Sequence, residues 1–122
     1  MDLHALADEI RTWGQELGFD AIGITDTELG EHPAHLERWL AAGHAASMDW
    51  MARHAELRAA PERLEPWTLR VISARMDYRP PEDDPLATLQ DGTRAYVSRY
   101  ALGRDYHRVI RPRLARLAER IE

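Results

Sequence analysis

Between Ser98 and His107 the chain reads S-R-Y-A-L-G-R-D-Y-H, gathering a serine, an aspartate, a histidine, two tyrosines and two arginines. Together these types offer hydroxyl donors, a carboxylate acceptor, an imidazole that titrates near neutral pH and guanidinium forks for phosphate or carboxylate. That is equipment for holding a polar or anionic ligand. The longer run from Arg94 opens with strand-like alternation: Ala95, Val97 and Arg99 fall on one face, and Tyr96, Ser98 and Tyr100 on the other. Gly103 then breaks the run, and Asp105 stands where a helix N-cap would stand. A strand, a glycine turn and a capped helix present a loop to ligand from a rigid scaffold.

The rest of the chain must position that corner. Leu3, Leu6, Ala7, Ile10, Trp13, Gly14 and Leu17 recur at three- and four-residue steps, predicting an amphipathic helix over 3–17. Asp2 is placed to cap it and Gly18 to end it. Phe19 to Thr25 is expected to be a short strand, with Gly23 allowing a close backbone approach. Pro33 opens a second helix that Gly43 closes. A third is expected over about 47–57, with Met48, Trp50 and Met51 as core filler, and 63–67 as irregular chain. Leu69 to Tyr78 carries the strongest strand signal.

Pro80, Pro81, Asp83, Asp84 and Pro85 predict an extended loop as far as Gly92. The last helix starts near Asp105, with Ile110, Leu114, Leu117 and Ile121 as its buried stripe and Arg104, Arg108 and Arg111 along another side. Pro112 removes a hydrogen bond at a cost of roughly 3 kcal/mol, so the helix either bends there or restarts as a second segment. The stripe is unbroken at Glu122, and the helix is expected to run on beyond it.

The composition, 44% hydrophobic and 30% charged over 122 residues, is that of one soluble globular domain with a modest core. No apolar run approaches the ~20 residues of a membrane span, and the acidic, amphipathic start is not a secretory signal, so a cytoplasmic location is expected. With no cysteine, the chain itself holds no disulfide, thiolate nucleophile or cysteine-ligated zinc or iron–sulfur centre. Charge is unevenly spread. Residues 1–93 carry 8 arginines against 18 acids, a net of −10, whereas residues 94–122 carry 8 against 3, a net of +5. The basic part could face phosphate, but charge alone favours a solvated helix face or one paired with the acidic part.

Other motifs are weaker. His32 and His35 lack any accompanying ligand set, and no metal site is expected. No phosphate-binding glycine loop or nucleophile elbow occurs. The Asp83–Asp84 pair reads as solubilising. Arg58 follows a helix and precedes Pro61, which suits a C-terminal charge partner or a holder of ligand phosphate or amide, and spacing favours the first.

Four stretches carry a family likeness: WGQELGFDAIGITD at 13–26, MDWMARHAELRAAPERLEPWTLRVISARMDY at 48–78, AYVSRYALGRDYH at 95–107, and the helix that follows. Through them the chain resembles the N-terminal domain of epoxyqueuosine reductase. Arg58-x-x-Pro61 and the Ser98–His107 run are the most specific pieces. The resemblance implies an α/β fold, the N-terminal part of a nitroreductase-like cobalamin-binding domain. It would fill residues 1–122, a small mixed sheet with flanking helices, truncated at its C-terminal end. It further implies an oxidoreductase that reduces epoxyqueuosine in tRNA to queuosine, using cobalamin and electrons from two 4Fe–4S clusters in a ferredoxin-like region, with helical repeats gripping the tRNA.

By position, Arg58 and Ser98 match residues that contact the corrinoid, and Tyr106 and His107 border its pocket. The family's acidic proton donor is expected beyond Glu122, so no catalytic residue is assigned within the chain. The clusters cannot be bound by a chain without cysteine. A fragment of this kind is expected to be inactive alone, and the full-length protein to be a monomer. The competing expectations are a non-catalytic corrinoid- or tRNA-binding module and a flavin-type nitroreductase relative.

Overall fold

The computed structural model describes residues 2–79 and 84–122. Among these the architecture is mixed α/β. The order is α1 (Leu3–Glu16), β1 (Ala21–Thr25), α2 (His32–Ala41), α3 (Ala55–Ala59), β2 (Val71–Arg75), α4 (Pro85–Gln90) and α5 (Tyr106–Ile121), with short 3-10 turns between. β1 and β2 form a two-stranded sheet. The Asp20 N–H, just before β1, donates to the carbonyl of Arg75 at the end of β2 (2.8 Å), so the strands run antiparallel. The chain divides into two compact units, Met1–Gly23 with Ser73–Glu122, and Ile24–Ile72.

In the first unit α1 forms where its spacing predicts. The Asp2 carboxylate accepts from the N–H groups of His4 and Ala5, and Gly18 ends the helix at φ +85°, a conformation that a residue with a Cβ adopts only with strain. The apolar core is small. Among the described residues, Ile10 from α1, Phe19 from the turn after it and Leu117 from α5 are the buried hydrophobic side chains. α1 packs on α5, and Arg120 bridges to Glu16 at 2.6 Å. Arg113 donates to the Gly18 carbonyl (3.1 Å) and approaches the Met76 sulfur (3.1 Å), tying α5 to the end of α1 and to the segment after β2. The close approach expected at Gly23 lies instead at Gly14. A Cβ on Gly23 would meet nothing, whereas one on Gly14 would come within 2.6 Å of the Ile22 Cδ1.

Several expectations are corrected. Residues 94–98 are not a strand. The chain there is extended or turn-like without a ladder partner and runs into a 3-10 turn at Arg99–Ala101. Alternation specifies faces, but a strand also needs a hydrogen-bonded neighbour. The loop expected from Asp84 to Gly92 contains α4, because Asp84 caps it through Leu86 and Ala87 and Pro85 pre-sets its first turn. Pro80 to Asp83 lie outside the described residues. α5 is one helix through Pro112 with no restart there, and its stripe is incomplete: Leu117 is buried, but Leu114 is 40% exposed.

In the second unit α2 matches its prediction, with proline in its first turn and Gly43 following at φ +74°. The helix expected over 47–57 is divided into a 3-10 turn at Asp49–Met51 and the short α3, because His54 between them sits at φ +60°. Met48 and Trp50 are exposed rather than core filler. Arg58 lies in the last turn of α3 and not past it.

Candidate functional site

Ser98, Tyr106 and His107 belong to the first unit and Arg58 to the second. Around the first three, local sequence dictates geometry. Gly103 takes φ +77°, which turns the chain, and Asp105 then caps α5. One carboxylate oxygen of Asp105 accepts both the His107 backbone N–H (3.0 Å) and the His107 Nδ1 (2.8 Å). A carboxylate only accepts, so Nδ1 carries the proton and Nε2 of a neutral ring is left as an acceptor. The imidazole stacks on Tyr106 with ring centres 4.0 Å apart, and Tyr106 meets Tyr100 edge to face at 6.2 Å. Aspartate, histidine and two tyrosines thus form one connected cluster at the start of α5.

These hydrogen bonds, first that of the His107 side chain and then that of its backbone, hold the Asp105 carboxyl below its ordinary 3.8. A depressed folded value stabilises the folded state at pH above 3.8, and the contribution is lost as pH falls through the folded value. The expected outcome is that Asp105→Asn lowers the melting temperature at neutral pH and that the gap from the unsubstituted protein closes in acid below about pH 4. Melting curves across that range check it.

Three openings flank the cluster, one of them a hollow of about 170 Å³ lined by Tyr106, His107, Ile110, Arg111 and Leu114. An apolar hollow of about 210 Å³ is lined by Met76, Tyr78, Tyr100, Tyr106 and Ile110. A larger cleft of about 600 Å³ shares Tyr78 and Tyr100 with it and adds Asp77, Arg79, Tyr96, Ser98 and Arg99. Tyr96, Ser98 and Tyr100 line this cleft together with Arg99 from the opposite predicted face, and Tyr96 and Arg99 also line a smaller one with Ala95, Val97 and Leu102. The two predicted faces are therefore not kept apart once the segment has no sheet partner. The wall from 77–79 comes from the segment after β2, which no local signal in the sequence brings beside 96–100.

Arg58 is committed to its own unit. Its guanidinium donates to the carbonyls of Trp50 (3.2 Å), Met51 (3.1 Å) and Arg53 (2.6 Å) and lies 5.9 Å from the Trp50 ring centre. These three bonds leave the Nε hydrogen and one on Nη2 for another acceptor. The partners are carbonyls of an irregular loop, which carry no sequence signature.

Comparison with known proteins adds to this geometry. The family model described as epoxyqueuosine reductase QueG, DUF1730, matches residues 58–122, a span containing Arg58, Ser98, Tyr106 and His107. The chain is 58% identical over 117 residues to the epoxyqueuosine reductase of Pseudomonas aeruginosa, covering 96% of this chain and 32% of that protein. It is 56% identical over 117 residues to that of Aliivibrio fischeri, with the same coverage, and 52% identical over all 122 residues to that of Escherichia coli, covering 32% of it. The chain spans about a third of the length of these curated relatives. No solved structure matches it.

Proposed function

Since the chain belongs to the epoxyqueuosine reductase family, we propose that it is the N-terminal, cobalamin-holding domain of an enzyme that reduces epoxyqueuosine in tRNA to queuosine. The observation that carries this reading is the site itself: an apolar, tyrosine-lined hollow that shares Tyr106 and Ile110 with the hollow His107 lines, and Tyr78 and Tyr100 with the cleft Ser98 lines. A corrin has apolar faces and a rim of amides, so it asks for a dry shelf edged with hydrogen-bonding groups. This donor set fits it.

Bound here, cobalamin supplies a reduced, nucleophilic cobalt for opening the epoxide. The chain's own residues bind and orient. Tyr106 offers ring surface to the hollow. The Ser98 hydroxyl and His107 Nε2 take peripheral amides, with Asp105 fixing which His107 nitrogen faces outward. Arg58 uses its two remaining donors on an amide or phosphate oxygen. The proton that accompanies loss of the hydroxyl is assigned to a carboxylic acid in the part of the family's length outside these residues. The 4Fe–4S clusters do not fit this chain, which has no cysteine to ligate them, and no electron-transfer step is routed through it. Those clusters, in a ferredoxin-like region, and tRNA-gripping helical repeats belong to the remainder, the whole working as a cytoplasmic monomer in a nitroreductase-like frame. Among the described residues no helix is long and apolar enough to cross a membrane.

The test compares residues 1–122 with a full-length chain carrying the same sequence. The full-length protein should hold cobalamin and convert epoxyqueuosine in tRNA, while the 122 residues alone should give no turnover. Multiple turnovers by the short chain, or a yellow flavin in place of a corrinoid in the long one, would sink the proposal. A second reading, a non-catalytic corrinoid- or tRNA-binding module, draws on the exposed Arg104, Arg108 and Arg111. A full-length chain that binds cobalamin or RNA but never reduces the substrate would select it.

A further inference from the structure

Arg108, Arg111, Arg116 and Arg120 of α5 are exposed, whereas Arg113 is half-buried. Its Nη1 donates both to the Gly18 carbonyl and to the Met76 sulfur, each at 3.1 Å. Glycine at 18 makes room for this contact, since a Cβ there would lie 2.7 Å from the Arg113 Nη1. Among the described residues no carboxylate pairs with Arg113. A thioether is a weak acceptor, so holding a half-buried cation against one adds little to folding stability. What the contact does is fix a side chain. Met76 lines the apolar hollow of about 210 Å³ with Tyr106 and Ile110. Tyr106, Ile110 and Arg113 follow at four- and three-residue steps, which places them on one face of α5. That face therefore supplies both part of the hollow and the guanidinium that holds Met76 to it.

We propose that Arg113 is a positioning residue for the hollow: anchored on the Gly18 carbonyl, it holds the Met76 thioether in the wall that Tyr106 and Ile110 complete. Methionine is unbranched with three rotatable bonds, and a free one samples several conformers across such an opening. A guanidinium on its sulfur selects among them. The hollow is then shaped before a ligand enters, which lowers the ordering cost of binding. The hold on Met76 stands without the cobalamin assignment above, whereas its consequence for cobalamin rests on that assignment. Arg120 provides the contrast, because it ties α5 to α1 through Glu16 at 2.6 Å and makes no bond to Met76.

The test uses the full-length protein carrying Arg113→Leu, Met76→Leu, both together, or Arg120→Leu. Cobalamin affinity should fall about tenfold in Arg113→Leu, the size of one lost charge-assisted hydrogen bond. Met76→Leu keeps the volume and removes the sulfur, so it should melt as the unsubstituted protein does and bind cobalamin about threefold more weakly. The double variant should lose no more than Arg113→Leu, because the two side chains share one interaction. Arg120→Leu should leave the affinity unchanged. Methionine methyl NMR without cobalamin reads the contact directly: in Arg113→Leu the Met76 signal, identified by its loss in Met76→Leu, should move while those of Met48 and Met51 stay. Losses that add in the double variant, an equal loss in Arg120→Leu, or an unmoved Met76 signal overturns the proposal. Unchanged affinity in Met76→Leu overturns it even where Arg113→Leu fails to fold. An unsubstituted protein that binds no cobalamin ends the cofactor assignment, and the Met76 signal then decides the positioning role by itself.

Discussion

Phe19→Ala is expected to remove most of the chain's folding stability. Phe19 is 3% exposed and is one of the buried apolar side chains on which the first unit rests, together with Ile10 and Leu117. Its backbone N–H donates to the Gly14 carbonyl (3.0 Å), in the glycine-ended turn that joins α1 to β1. Truncating a buried phenylalanine costs roughly 3–5 kcal/mol, against roughly 5–15 kcal/mol for the whole stability of a domain. A large protein can absorb such a cavity elsewhere, but a core this small offers little to collapse into the gap. Urea titration should show the midpoint falling steeply, or no folded baseline at all. A loss below about 1 kcal/mol would mean that stability resides elsewhere, in contacts that the burial of Phe19 does not report.

Arg58→Ala should strip the full-length protein of much of its cobalamin. Two losses combine. The carbonyls of Trp50, Met51 and Arg53 lose the donor that gathers them, so the loop leading into α3 loosens. The two remaining donors proposed to meet the cofactor go with it. Charge-assisted hydrogen bonds contribute roughly 1.5–3 kcal/mol each, so losing one to the cofactor predicts at least about a tenfold weaker retention. Arg58→Lys should not rescue it, because an ammonium cannot serve several carbonyls and a ligand in one planar fork. Cobalt content and the visible spectrum after gel filtration measure the effect. Unchanged cobalamin content in Arg58→Ala would remove Arg58 from the site.

The pattern of agreement between sequence and structure has a physical cause. Where one residue's conformation or one local hydrogen bond decides the outcome, the residues suffice. Asp2 and Asp105 cap α1 and α5, Gly18 and Gly103 adopt positive φ, and the period of α1 places Ile10 and Gly14 inside. Asp84–Pro85 carried the same kind of signal for α4, but the surrounding prolines and acids obscured it. The family likeness of the Ser98–His107 run is also a property of sequence alone.

Tertiary structure decided what depends on partners distant along the chain. Whether 94–98 becomes a strand turns on a neighbour to pair with, not on its own alternation. Whether Trp50 is core or surface depends on what covers it, and His54 at positive φ divides a segment whose apolar spacing reads as one helix. Above all, the meeting of Asp77 and Tyr78 with Tyr96 and Tyr100 in one cleft is a long-range contact that no local preference encodes. Sequence determined which residues could do the chemistry, because caps, turns and side-chain types are local. Only folding determined which of them share a site, because that depends on how the segment after β2 and the one before α5 come together.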